Sequence, residues 1–288
     1  MLTPSNPHVL RGIGLMMLAA SSFACIDATA KYLSAQYAVP GIVWVRYVIQ
    51  VLLMVAVLGP RLGSGLVRTA NLKLQLIRGL VLTGSSLIFV TALSLMPLAE
   101  AISITFMSPL VIAVLSGPLL HERVERRTWL ALAGGFAGVL LIIRPGGGLF
   151  TWVALLPLGN AFLMASYQMM TRRLAGRDAP LTTLFYPALV GSLLVPVVFP
   201  DALLLPRAPL DIGLFVALGV MGGVGHFLLI RAHDYAPPAV LGPFIYAQLV
   251  TALFLGWLVF GQLPDAISLA GILAISASGL LLVWRHRR

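Results

Sequence analysis

The chain has 288 residues, 59% of them hydrophobic and only 10% charged, with a formal net charge of +10. A soluble globular chain carries about 25% charged residues, so this one cannot cover a water-facing surface, and lipid is the solvent that makes such a composition stable. The basic excess would point a soluble protein toward nucleic acid, but here the basic residues lie between apolar runs with no basic helix, and no nucleic-acid partner is expected.

Apolar runs separated by charged and Pro/Gly breaks predict ten helices, near 11–35, 40–59, 73–95, 98–119, 127–144, 150–172, 180–200, 211–233, 239–260 and 265–285. Each run is close to the roughly 20 residues that cross a bilayer. The breaks at Pro40, Pro60, Pro97, Pro145, Pro180, Pro200 and Pro237-Pro238 put proline where a helix ends or restarts. The loops are short, so successive helices are antiparallel neighbours and no separate soluble domain fits. The first run continues past Ala30 without a cleavage site followed by a polar chain, unlike a signal peptide. Cys25, the single cysteine, lies within that run and is read as inert.

Basic residues divide unevenly between the two ends of this bundle. One end takes Arg11, Arg61, Arg68, Lys73, Arg78, Arg123, Arg126, Arg127, Arg172, Arg173, Arg177, Arg231, Arg285, Arg287 and Arg288, which is 15 of the 19. Lys31, Arg46, Arg144 and Arg207 fall elsewhere. The positive-inside rule then places both termini in the cytoplasm. The halves also repeat. At a shift of 140 residues Gly79 meets Gly219, Ala92 meets Ala232, Pro97 meets Pro237 and Leu115 meets Leu255. Five helices per half make the second half enter the membrane upside down. The fold class is therefore an all-α membrane protein of two inverted five-helix repeats, divided as residues 1–145 and 150–288, with a substrate site expected near the midplane between them.

Polar side chains within spans are the candidate functional groups, because hydrocarbon penalises them unless they face protein or water. In chain order, Asp27 and Lys31 share a helix face at i,i+4 and are expected to pair, Lys31 reaching outward. Asp27 is also a candidate for ion or proton coupling. Arg46, near one end of the second helix, suits an interfacial or inter-helix pair, or a carboxylate ligand. Glu100 sits in a first helical turn, where the helix dipole favours an acid. Asn160, Gln168 and Gln248 can bond neighbouring helices or a substrate. His226, mid-helix, is either bonded to a carbonyl or a titrating cavity residue. The repeat matches Ser86 with His226, Phe106 with Tyr246 and Ser108 with Gln248. The predicted site, lined by the first, third, fourth, sixth, eighth and ninth helices, takes Ser86, Phe106, Asn160, His226, Tyr246 and Gln248, with Asp27 and His226 for coupling. Pro109 and Pro243 are expected to kink their helices. Gly222-Gly223-Val224-Gly225 and Gly134-Gly135 with Gly138 read as close helix packing. No P-loop, HExxH, GxSxG or CxxC occurs, so no nucleotide, cofactor, metal or catalytic residue is expected.

The run Ala92-Leu-Ser-Leu-Met-Pro-Leu-Ala-Glu-Ala-Ile-Ser, followed by Ser108-Pro109 and Leu119-Leu120-His121-Glu122, resembles the repeat signature of the drug/metabolite transporter superfamily, in its ten-helix EamA-like form. Ala232 to Ala239 with Gly261-Gln262 resembles it in the second half, although Gln262 stands where the first half has Glu122. The resemblance implies a secondary transporter in a bacterial inner membrane, exporting small organic metabolites by alternating access. Its length is most similar to exporters of amino acids, aromatic ones included. The same architecture would also serve a passive channel, or an importer of another metabolite or drug-like cation. An intramembrane lipid enzyme would need acid/base or metal groups clustered at one depth, and Asp27, Glu100 and His226 lie on different helices. The oligomeric state is left open.

Overall fold

A computed structural model describes residues 7–120, 126–144, 152–174, 176–202, 206 and 208–285. The helices are α1 (Pro7–Leu33), α2 (Val39–Leu62), α3 (Leu72–Leu95), α4 (Leu98–Thr105), α5 (Ser108–Leu120), α6 (Arg126–Ile143), α7 (Leu155–Leu174), α8 (Pro180–Val198), α9 (Pro209–His233), α10 (Pro238–Leu241), α11 (Ala247–Phe260) and α12 (Ala266–Arg285). Prolines open α8 and α9, where a missing N–H costs nothing. Gly261, at φ +63°, ends α11: its N–H reaches the Trp257 carbonyl and that of Gln262 reaches Gly256, closing the last turn. Among the described residues, seven spans are long and apolar enough to cross a membrane, and Leu98–Ile112, Trp129–Ile143 and Ala266–Leu281 are shorter apolar helices, ten in all. Leu52, Phe136, Val197, Phe227, Val250 and Leu273 are exposed on the outer faces, where lipid replaces water.

Two of the ten predicted helices are broken rather than merely kinked. The fourth divides into α4 and α5 around Phe106–Met107, and the ninth into α10, a 3-10 segment at Gly242–Tyr246 and α11. Pro109 and Pro243 explain the position: neither can donate to the carbonyl four residues earlier, and the chain tightens to an i,i+3 bond from Met107 to Ile104. The breaks fall at positions matched by the 140-residue offset.

Helix neighbours respect the repeat. α1 packs on α9 as α7 packs on α3; α2 packs on α9 as α8 packs on α3; and α1 meets α11 as α7 meets α4 and α5. α2 pairs with α8, α4 with α11 and α6 with α12. Exchanging the halves leaves this set unchanged, which is the signature of a twofold relation between them. Glycine sets the tightest of these contacts. A Cβ at Gly138 would lie 2.7 Å from the Gly271 carbonyl, and one at Gly271 would lie 2.6 Å from the Gly138 carbonyl, so the α6–α12 backbones touch. Gly225 likewise admits Phe23 of α1.

Candidate functional site

α1 carries Asp27 deep in the bundle, and α11 begins beside it. Gln248 Nε2 donates to Asp27 Oδ2 at 3.0 Å, and the Ser21 and Thr251 hydroxyls meet at 3.0 Å further along the same seam. The first half is thus joined through polar groups to the broken helix of the second. The expected Asp27–Lys31 pair does not form. Lys31 Nζ instead donates to the Leu93 and Met96 carbonyls at 2.6 and 2.8 Å, over the Phe260 ring. Those carbonyls close the C-terminal end of α3, where helix partners run out and partial negative charge collects. An i,i+4 pair worth about 0.2–0.5 kcal/mol does not outweigh that.

The matching seam in the other half uses Asn160. Its Oδ1 accepts from Ser85 Oγ at 2.5 Å and its Nδ2 donates to Thr105 Oγ1 at 3.2 Å, bracing α7 against α3 and the end of α4. Ser86, the next residue on α3, turns to α2: Arg46 Nη2 donates to its Oγ at 2.7 Å, and the Tyr47 hydroxyl lies 2.7 Å from the same oxygen. Arg46 sits two turns inside α2 and is near enough to act electrostatically on both Asp27 and His226.

His226 Nδ1 bonds the Gly222 carbonyl one turn back at 2.8 Å, and its ring stands edge-on to Phe23 at 4.9 Å. A carbonyl partner fixes the proton on Nδ1, and Nε2 makes no hydrogen bond among the described residues. Phe106 and Tyr246, the residues at the two helix breaks, pack ring against ring with centroids 4.9 Å apart and planes tilted by 39°. Tyr246 reaches on toward Gly279 of α12. Gln168 is exposed. His121 and Glu122 of the first-half motif, and Pro145, lie outside the described residues.

The predicted residues are therefore brought together in pairs: Asp27 with Gln248, Ser86 with Arg46, Phe106 with Tyr246. Asn160 joins hydroxyls that sequence reasoning did not select, Ser85 and Thr105. Glu100 is buried, and its Oε2 has no hydrogen-bond partner among the described residues. It borders a cavity of about 30 Å³ with Leu95, Met96, Ile142 and Val153, room for a single water. At that same end Asp265 caps α12 through the Ser268 N–H and pairs with Arg144; hydrogen bonding to Arg144 holds its carboxyl well below the usual carboxylate range. Among the described residues no group of three His, Cys, Asp or Glu side chains could hold a metal ion.

Comparison with known proteins agrees with this architecture. The chain is 28% identical to the riboflavin transporter of Vibrio cholerae, over 98% of this chain and 96% of that protein. It is 28% identical to the pseudopaline exporter CntI of Pseudomonas aeruginosa, over 90% and 91%. It is 22% identical to the S-adenosylmethionine uptake transporter of Rickettsia bellii, over 96% and 94%. None of these three names an aromatic amino acid. A solved crystal structure shares the fold with a TM-score of 0.61 at 23% identity, covering 98% of this chain and 99% of that one. Residues 10–144 and 151–284 each match one family, and the chain belongs to it: the EamA-like transporter family.

Proposed function

We propose that this membrane transporter of small metabolites works by alternating access, with residues 1–145 and 150–288 rocking about a midplane site that both halves build. The observation that carries the reading is the Asp27–Gln248 bond, in which a deep carboxylate on one half meets the start of a broken helix from the other. Discontinuous helices of this kind leave backbone and side-chain groups free to hold a solute. Phe106, Tyr246 and His226 supply apolar and aromatic surface, and Ser86, Arg46, Asp27 and Gln248 a few polar groups, the composition of a small-molecule site. Asn160 serves as the brace that positions α7. Asp27 and His226 are the groups for proton coupling. An aromatic or large neutral amino acid fits this surface, moving outward across a bacterial inner membrane.

The test is saturable flux into proteoliposomes, with phenylalanine, leucine, riboflavin and S-adenosylmethionine as solutes, with and without a pH gradient. His226→Ala and Tyr246→Ala are expected to insert normally and to lose transport several-fold, a stacking partner being worth about 0.5–1.5 kcal/mol. Non-saturating electrogenic flux, or wild-type transport by both variants, would reject the reading. Orientation has its own check. A periplasm-dependent reporter fused after Arg288 is expected to be silent, and activity there would reverse the assignment of both termini to the cytoplasm.

A further inference from the structure

We propose that Glu100 anchors a site for one monovalent cation of about water's size, Na+ or a proton carried on water, in the cavity between α3, α4, α6 and Val153 and Ala154 of the second half. This is a second site, away from the midplane, and its test needs no transported solute.

Glu100 is 5% exposed and makes no ion pair among the described residues. The Ser268 hydroxyl of α12 lies close enough to bond its carboxyl, and Oε2 has no hydrogen-bond partner among the described residues. The start of α4 does not use that oxygen. A glutamate at the third position of a helix ordinarily reaches back to the N–H of the capping residue. Here the cap is Pro97, which has none. Nor does the fold require an acid at this place: the 140-residue offset matches Glu100 with Val240, in the first turn of α10.

The charges around Glu100 are engaged elsewhere. α4 packs against α1, α3, α7, α11 and α12. Lys31 of α1 is held by the Leu93 and Met96 carbonyls, and Asp27, one turn back, by Gln248. Asp265, just before α12, is paired with Arg144. α11 carries no charged residue, and Lys73 and Arg78 of α3 and Arg172 and Arg173 of α7 lie at the far ends of their helices.

A carboxylate at such a place is costly without a positive charge beside it. The other walls of the cavity are helix ends. Leu95 and Met96 close α3, and Ile142 and Ile143 close α6, where carbonyls run out of helical partners and partial negative charge collects. A carboxyl beside two helix C-termini is a setting for a small cation. A neutral water would leave the charge uncancelled. The volume, about 30 Å³, admits one particle of water's size and no organic cation. Val153, Ala154 and Ser268 belong to the second half, so the site is whole only where the halves meet, and a bound cation holds them together at this end.

The experiment is thermal unfolding of the full chain in detergent. One arm compares NaCl with choline chloride of equal strength at mildly alkaline pH; the other acidifies the choline chloride sample. The wild type is expected to gain about 2 °C or more in at least one arm. A gain with NaCl identifies Na+, and a gain on acidification alone identifies the proton. Glu100→Gln keeps the shape, removes the charge and is expected to lose the gain. Ala154→Val narrows the cavity with the carboxyl in place; it is expected to lose the gain too, and decides the matter if Glu100→Gln does not fold. No gain in either arm means a water only and overturns the proposal. A gain that persists in both variants places the cation elsewhere and overturns it as well. Saturable solute flux with no cation effect would leave the transport reading standing without this site. A cation effect in a protein that moves no solute would do the reverse.

Discussion

Replacing Arg78 by Met is expected to lower the stability of the protein by about 3 kcal/mol. Arg78 is 2% exposed, inside the second turn of α3. Its Nε donates to Thr171 Oγ1 at 2.7 Å, Nη1 to Gln75 Oε1 at 3.0 Å and to the Thr183 carbonyl at 2.6 Å, and Nη2 to the Tyr167 hydroxyl at 2.7 Å. The Tyr167 ring also lies 4.5 Å from its guanidinium carbon. None of these partners is charged. The nearest acid in the network, Asp178, is reached through Gln75, whose Nε2 donates to it at 2.8 Å. Methionine fills the space but leaves acceptors on α7 and α8 without their donor, in a place water reaches poorly. Lysine keeps the charge and loses the planar fork, so Arg78→Lys is expected to recover only part of the loss. Thermal unfolding in detergent, with membrane insertion checked separately, decides it. An unchanged midpoint for Arg78→Met would show that the network carries no net stability.

Gly279→Ala is expected to abolish most transport, and Tyr246→Phe is expected to restore part of it. A Cβ at Gly279 would collide with the Tyr246 hydroxyl and would lie 2.9 Å from the ring carbon that bears it. Tyr246 then has to leave, taking with it the ring contact with Phe106 at the centre of the two broken helices. Deleting the hydroxyl removes the worst overlap and leaves a contact a few tenths of an ångström too close, which a packed interior absorbs at modest cost. The order of flux is therefore Gly279→Ala lowest, the double variant intermediate, and Tyr246→Phe alone near or moderately below wild type. A double variant no better than Gly279→Ala would mean that the glycine matters for the backbone of α12 and not for the tyrosine.

Much of the fold was legible because bilayer thickness and proline act locally. Run length and the prolines at positions 40, 180 and 237 gave ten crossings with ends close to the observed ones. The repeat was readable because duplicated helices kept a constant offset. The breaks were only half legible. Pro109 and Pro243 marked the turns, but whether a proline bends a helix or divides it depends on what neighbouring helices do with the freed carbonyls. Arg78 was counted among the basic residues of one end because its position along the chain suggested the interface; that α7 and α8 close over it is tertiary information. Lys31 shows the same limit. Its four-residue spacing from Asp27 was visible, while the carbonyls that capture it lie 62 and 65 residues away. The site was legible in its residue types and not in its pairings, since Arg46–Ser86 and Asp27–Gln248 join different helices.

Arg78 has a further consequence through the repeat, which matches it with Leu218, a buried apolar residue of α9. If the halves were identical, opening one end or the other would cost the same, and the empty protein would rest equally in both. Arg78 ties α3 of the first half to Thr171, Tyr167 and Thr183 of the second, and at the same end Thr182 and Tyr186 hold the Gly65 and Val67 carbonyls. Leu218 offers the opposite end no such bonds; there Tyr37 meets Asp211 at 2.7 Å, Trp44 meets the Ser192 carbonyl at 3.0 Å and Arg144 of the first half pairs with Asp265 of the second. If the halves exchange access as proposed, the two ends are held by different sets of bonds and the two states are not degenerate.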